Sequence, residues 1–116
     1  MNEAEMRYYA INECKCGPEE FFVLVSGIRD EDLTLLTRVL ADLVSEGLLV
    51  CDQAKGKQDI HITQQDLEDY VKMRIESGED LEEYPSCCAE YRFTTTEKGL
   101  GLLISTDHPT SREQGW

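Results

Sequence analysis

Positive charge is what this sequence has least of. Its 116 residues hold eleven Lys and Arg against twenty-four Asp and Glu, a formal net charge of −13. Duplex nucleic acid is gripped first by lysine and arginine on phosphate. A broad basic footprint is therefore excluded, and DNA affinity would have to come from a few cations gathered on one face. Histidine is scarce as well: His61 lies in an alternating stretch and His108 in the C-terminal tail. No serine–histidine–acid set is recognisable, and Gly99-x-Gly101 lacks the spacing of a phosphate loop, so the chain reads as a non-enzyme. Long apolar runs are missing too. The stretch FFVLV, residues 21 to 25, is far short of the roughly 18 residues that span a bilayer. The opening MNEAEMRYYA has neither the basic start nor the apolar centre of a signal peptide. A cytoplasmic setting without membrane contact is the expectation.

Paired cysteine knuckles are a further absence. The five cysteines are Cys14, Cys16, Cys51, Cys87 and Cys88, an odd number with no C-x-x-C spacing, which argues against a closed disulfide framework. In a reducing compartment they are expected as thiols. Cys14, Cys16, Cys87 and Cys88 are weak candidates for a four-thiolate metal site. Buried or half-buried thiols are the preferred reading, so neither metal nor cofactor is expected.

What is present is a single domain's worth of chain with an ordinary 41% hydrophobic content, enough for a real core. Residues 3–14 read as a helix with Met6, Tyr9, Ala10 and Ile11 on one side. Gly17 and Pro18 end it, and Glu19 and Glu20 suit the first turn of a next helix. After Arg29, Asp30 is the expected N-cap of a helix over 31–46. Leu33, Leu36, Val39, Leu40, Leu43 and Val44 form its apolar stripe, while Thr34, Thr37 and Arg38 fall off the stripe. Gly47 stops it, and 48–51 is a short strand. Residues 58–62 read as the returning strand of a hairpin. Thr63 to Asp66 has capping-box spacing before a helix over 64–77, whose apolar face is Leu67, Tyr70, Val71, Arg74 and Ile75. Residues 77–86, SGEDLEEYPS, read as a mobile acidic loop. Residues 91–96 read as a strand and 97–104 as a short helix, with a disordered tail over 105–116. Both 60–67 and 91–100 run from strand through a threonine cap into a helix. Which of them supplies the partner of strand 48–51 stays open.

Two segments resemble winged helix-turn-helix proteins of the MarR and PadR type. One is LTLLTRVLADLVSEGLLV, from Leu33 to Val50. The other is YRFTTTEKGLGLL, from Tyr91 to Leu103, similar to that family's closing strand-to-helix junction. The likeness covers residues 3–104. It implies an α+β winged-helix domain, here with residues 63–90 as a helical insertion before the last strand. It further implies a dimer, for which residues 3–14 and the inserted helix are the candidate interfaces. By the same resemblance helix 31–46 enters a DNA major groove, with Arg29, Thr34, Thr37, Arg38, Lys55 and Lys57 as candidate contacts. Charge points the other way. From Pro18 to Asp52, Arg29 and Arg38 stand against eight carboxylates, the reverse of a DNA-binding footprint. The two expectations are a DNA-binding transcription regulator and an acidic module that docks another protein.

Overall fold

The computed structural model describes residues 1–54, 56–86 and 88–106. Lys55, Cys87 and His108 lie outside the described residues, as does the tail from 107 onward. The chain is mixed α+β, with five α-helices and one three-stranded antiparallel sheet among the described residues.

Helix α1 (Glu3–Glu13) begins with a reciprocal cap. The Glu5 amide donates to the Asn2 side chain at 2.8 Å, and the Asn2 amide donates to the Glu5 carboxylate at 2.8 Å. Both amides would otherwise be orphaned at the helix start.

Strand β1 (Glu19–Glu20) follows and pairs with strand β3 (Tyr91–Thr95), Glu19 opposite Phe93 and Glu20 opposite Arg92. Glu19 and Glu20 are thus extended, not the first turn of a helix as their charge suggested. Backbone pairing to β3 outweighs the dipole preference of two acids. Helix α2 starts after them, at Phe21–Ser26.

The next helix also starts later than its charges implied. Asp30–Asp32 form one 3-10 turn, and helix α3 covers Leu33–Ser45. No side chain caps it at Asp30; the Asp32 carboxylate turns to the Met1 amino group at 3.3 Å. The apolar stripe survives this shift. Leu36, Val39, Leu40 and Leu43 are fully buried, while Leu33 and Val44 are half-buried against the same core.

Strand β2 (Leu49–Gln53) pairs along its whole length with β3, from Leu49 opposite Thr95 to Gln53 opposite Tyr91. The sheet order is β1-β3-β2. Residues 58–62 are therefore not the returning strand. They fold back on β2 through two bonds, Gln53 N to Lys57 O (2.9 Å) and Ile60 N to Cys51 O (2.8 Å), and Asp59 at φ 50° breaks their extension. The segment 91–95 wins because it offers a full five-residue register and buries Phe93 completely.

Between β2 and β3 lies helix α4 (Gln64–Glu76), started by the expected box: Asp66 N to Thr63 Oγ1 at 3.1 Å and Thr63 N to the Asp66 carboxylate at 3.0 Å. Helix α5 (Glu97–Thr106) closes the described chain.

The threonine-lysine-glycine junction between β3 and α5 reads the end of α3 carbonyl by carbonyl. Lys98 Nζ donates to Glu46 O at 2.9 Å, and Thr96 Oγ1 donates to Gly47 O at 2.7 Å. A Cβ on Gly99 would sit 2.5 Å from Leu48 O and 2.7 Å from Thr95 Cγ2, so only glycine lets α5 approach β2 this closely. One residue back, Thr95 Oγ1 donates to Ile11 O at 2.7 Å, tying β3 to α1. The motif is thus a clasp that fixes α5 and the sheet against both core helices.

Candidate functional site

On a helix advancing about 100° per residue, Thr34, Arg38, Asp42 and Ser45 of α3 share one face, and all four are exposed. Helix α1 packs on one flank of α3 and α4 on the other. Helix α4 therefore narrows the surface that α3 can offer.

Thr37 lies on the covered flank. It is 1% exposed and its hydroxyl donates to Thr34 O at 2.8 Å, a back-bond within the helix. It drops out of the set of surface contacts, because α4 supplies a second wall that the stripe of α3 alone did not reveal. Thr34 and Arg38 are at the surface, as are Arg29 and Lys57. Lys55 is outside the described residues. The structure thus brings Thr34 and Arg38 together on one helix face, leaves Arg29 before the 3-10 turn, and puts Lys57 in the turn beyond β2.

The arginines near α3 lie beside carboxylates. Arg38 Nη2 lies 2.5 Å from Glu3, and Arg29 Nη1 lies 3.7 Å from Glu31. Arg7 makes a two-pronged pair with Glu46 at 2.8 and 2.6 Å, which raises the arginine pKa and holds the carboxyl below its ordinary value. Arg92 Nε meets Asp52 at 2.8 Å, and Arg74 Nε meets Glu79 at 3.0 Å. Arg7, Arg29, Arg38, Arg74 and Arg92 each lie within 4 Å of a carboxylate of the chain itself, Arg29 and Arg38 in exposed pairs, which contribute little energy.

The most developed polar arrangement is one that the sequence reading missed. Glu90 and Arg74 are fully buried, and Tyr70 is 6% exposed. Glu90 accepts the Tyr70 hydroxyl at 2.5 Å and the amides of Phe22 and Tyr91 at 3.0 Å each. It thereby caps the start of α2, which no local side chain does. Burial pushes the Glu90 carboxyl above its ordinary value, against the pull of those donors and of Arg74. Burial likewise raises the Tyr70 hydroxyl, with Glu90 adding to it.

Arg74 organises the acidic loop. Beyond its bond to Glu79, its Nη2 donates to Asp80 O at 2.8 Å and Glu83 O at 2.7 Å. Glu79 in turn accepts the Ser86 hydroxyl at 2.6 Å. Residues 79–86 are therefore anchored around a guanidinium rather than loose. The geometry starts at Gly78, φ 77°, a left-handed position that suits glycine. Glu79 N donates to Arg74 O and Gly78 N to Ile75 O, both at 3.0 Å. This turn places the residue after the glycine against the third residue from the helix end, a contact usually apolar and here an ion pair. The signal was legible: an arginine sits on an otherwise apolar helix face, with Gly78-Glu79 just beyond. Among the described residues no buried side-chain nitrogen or oxygen lacks a hydrogen-bond partner, so the arrangement holds structure.

The thiols are separate. Cys14 and Cys51 are fully buried, and burial pushes each pKa up to about 12, with nearby carboxylates adding. Cys16 is exposed and Cys88 half-buried. Among the described residues no three of His, Cys, Asp and Glu form a group that would hold a metal ion, and Cys87 lies outside them. Among the same residues no helix is long and apolar enough to cross a membrane. Comparison with family models, with curated proteins and with solved structures found no match to this chain.

Proposed function

We propose that this chain is a winged-helix module with a helical insertion in its wing, and that it works by docking another protein rather than by reading duplex DNA. The element order α1-β1-α2-α3-β2-β3, with β3 between β1 and β2, supports the winged-helix reading. The observation that carries the functional half is the commitment of Arg7, Arg29, Arg38, Arg74 and Arg92 to carboxylates of the chain itself. Binding phosphate through Arg38 would exchange its exposed pair with Glu3, a small cost, and would bring the Asp42 carboxylate on the same face toward the DNA backbone. That is a cost with no compensating basic surround at a net charge of −13.

The second reading is DNA binding by α3 in the manner of a transcription regulator. The exposed pair Thr34 and Arg38 favours it, with Lys57 beyond β2. Titration with random-sequence duplex separates the two, since phosphate contacts impose a log-linear loss of affinity with salt. The docking reading expects no binding at low ionic strength; salt-dependent binding would establish the rival. Self-association through α1 or α4, the dimer that the family resemblance implies, is read by sedimentation equilibrium over a range of protein concentrations.

A further inference from the structure

Helix α4 has a wider apolar stripe than its own domain covers. Leu67, Tyr70 and Arg74 are buried, Val71 is half-buried, and Ile75 is 57% exposed. Ile75 and Leu33 of α3 together line two clefts. One, of about 260 Å³, runs between α3 and α4 and includes Val71. The other, of about 420 Å³, opens toward the end of α2 and the anchored loop, with Val25, Ile28 and Leu81 in its wall. The two share Leu33 and Ile75 and so form one groove with an apolar floor. Its rim is acidic: Glu68 and Glu76 on α4, Asp30 before α3, Asp80 and Glu82 on the loop. Arg29 and Lys72 are the cations on that rim, and Arg29 is itself paired with Glu31.

We propose that this groove receives a basic amphipathic helix of another protein, an inference that rests on the docking reading above. An apolar trough between two helices is the shape that takes an amphipathic helix, with anchors at i and i+3 or i+4. Five rim carboxylates against two cations select lysine and arginine on the flanks of that helix. A second copy of this chain is a poor occupant, because two bodies of charge −13 repel each other. The clasp of Arg74 on residues 79–86 belongs to the same device. It holds the carbonyls of Asp80 and Glu83, on either side of Glu82, before a partner arrives, so the partner meets a preformed rim.

The test uses the full chain and three synthetic peptides of about five helical turns, roughly 18 residues. The first has a leucine face flanked by lysine. The second replaces lysine by glutamate, and the third scrambles the first so that its charge remains and its apolar face is lost. Fluorescence anisotropy is expected to show binding of the first only. Ile75→Lys is expected to weaken it about tenfold or more, by removing an anchor and placing a like charge on the floor. Glu76→Lys with Glu82→Lys is expected to weaken it by a similar factor and to flatten its salt dependence. Both variants change exposed residues, and an unchanged melting temperature confirms that they fold. Failure of the first peptide to bind, equal binding of the scrambled peptide, or indifference to Ile75→Lys overturns the groove. A dimer that Ile75→Lys dissociates would make a second copy the occupant and overturn it as well. Random duplex titrated into the same sample fails or sustains the broader docking reading separately.

Discussion

The Tyr70 hydroxyl donates to the buried Glu90 carboxylate at 2.5 Å, joining α4 to the residue that caps α2. Helix α4 is thereby part of the core and not an appendage. Tyr70→Phe deletes that donor and leaves Glu90 with its two backbone amides, so a loss of roughly 1–3 kcal/mol in unfolding free energy is expected. Urea denaturation followed by circular dichroism measures it. An unchanged midpoint would mean that the bond contributes nothing.

The same carboxyl fixes a pH effect. Burial raises Glu90 above the ordinary 4.5, so the folded state holds this proton more tightly than the unfolded state. The stability that Glu90 contributes is present below pH 4.5 and lost as pH rises through the raised value. Glu46 acts in the opposite sense. Its carboxyl is lowered by Arg7, and its contribution is present above 4.5 and lost as pH falls through the lowered value. Glu90→Gln should therefore reduce the loss of stability between pH 4.5 and neutrality relative to the parent. Glu46→Gln, an exposed pair worth roughly 0.2–1 kcal/mol, should change only the acid limb. Denaturation midpoints across pH test both, and a Glu90→Gln profile parallel to the parent would contradict the burial argument.

Two glycines of α5 should respond in opposite directions to alanine. At Gly99 the new Cβ meets Leu48 O at 2.5 Å. Backbone must move, at a cost of roughly 1–3 kcal/mol. At Gly101 nothing lies within 4 Å, and alanine in mid-helix should add about 0.5–1 kcal/mol. Thermal melts of the two variants read the difference. Equal effects would refute the close approach of α5 to β2.

Most of the fold was legible because its elements announce themselves locally. The stripe of α3, the Thr63–Asp66 cap and the strand 91–95 needed no tertiary information. What escaped depends on partners distant in sequence. Glu19 and Glu20 look like a helix start until β3 is placed beside them. Thr37 looks exposed until α4 covers it. The anchored loop looks mobile until the Arg74 guanidinium is seen to hold its backbone. Of the off-stripe residues of α3, Thr34 and Arg38 are exposed and Thr37 is not, and the pairing of Arg38 with Glu3 and of Arg29 with Glu31 is a property of folded geometry alone.

Arg74→Met should release that loop. It removes a buried cation and strands Glu79 together with the carbonyls of Asp80 and Glu83, at a cost of roughly 3–5 kcal/mol. Hydrogen exchange should show amides of 79–86 losing protection before those of α3. Uniform loss across the chain would indicate that the clasp is not local.

Thiol reactivity should divide sharply. Cys14 and Cys51 are fully buried with pKa values near 12, and only the thiolate is alkylated. Iodoacetamide on the native protein at mildly alkaline pH should label the exposed Cys16 well before either. Equal rates before unfolding, read by peptide mass mapping, would show that Cys14 and Cys51 are accessible.

The most direct test of the central claim is a titration of random-sequence duplex into the protein at low ionic strength, followed by salt addition. The account predicts no saturable binding, because at a net charge of −13 the few cations near α3 lie among carboxylates of the same chain. Saturable binding that weakens log-linearly with salt, with a slope of about −0.9 per phosphate neutralised, would contradict it and assign α3 to DNA.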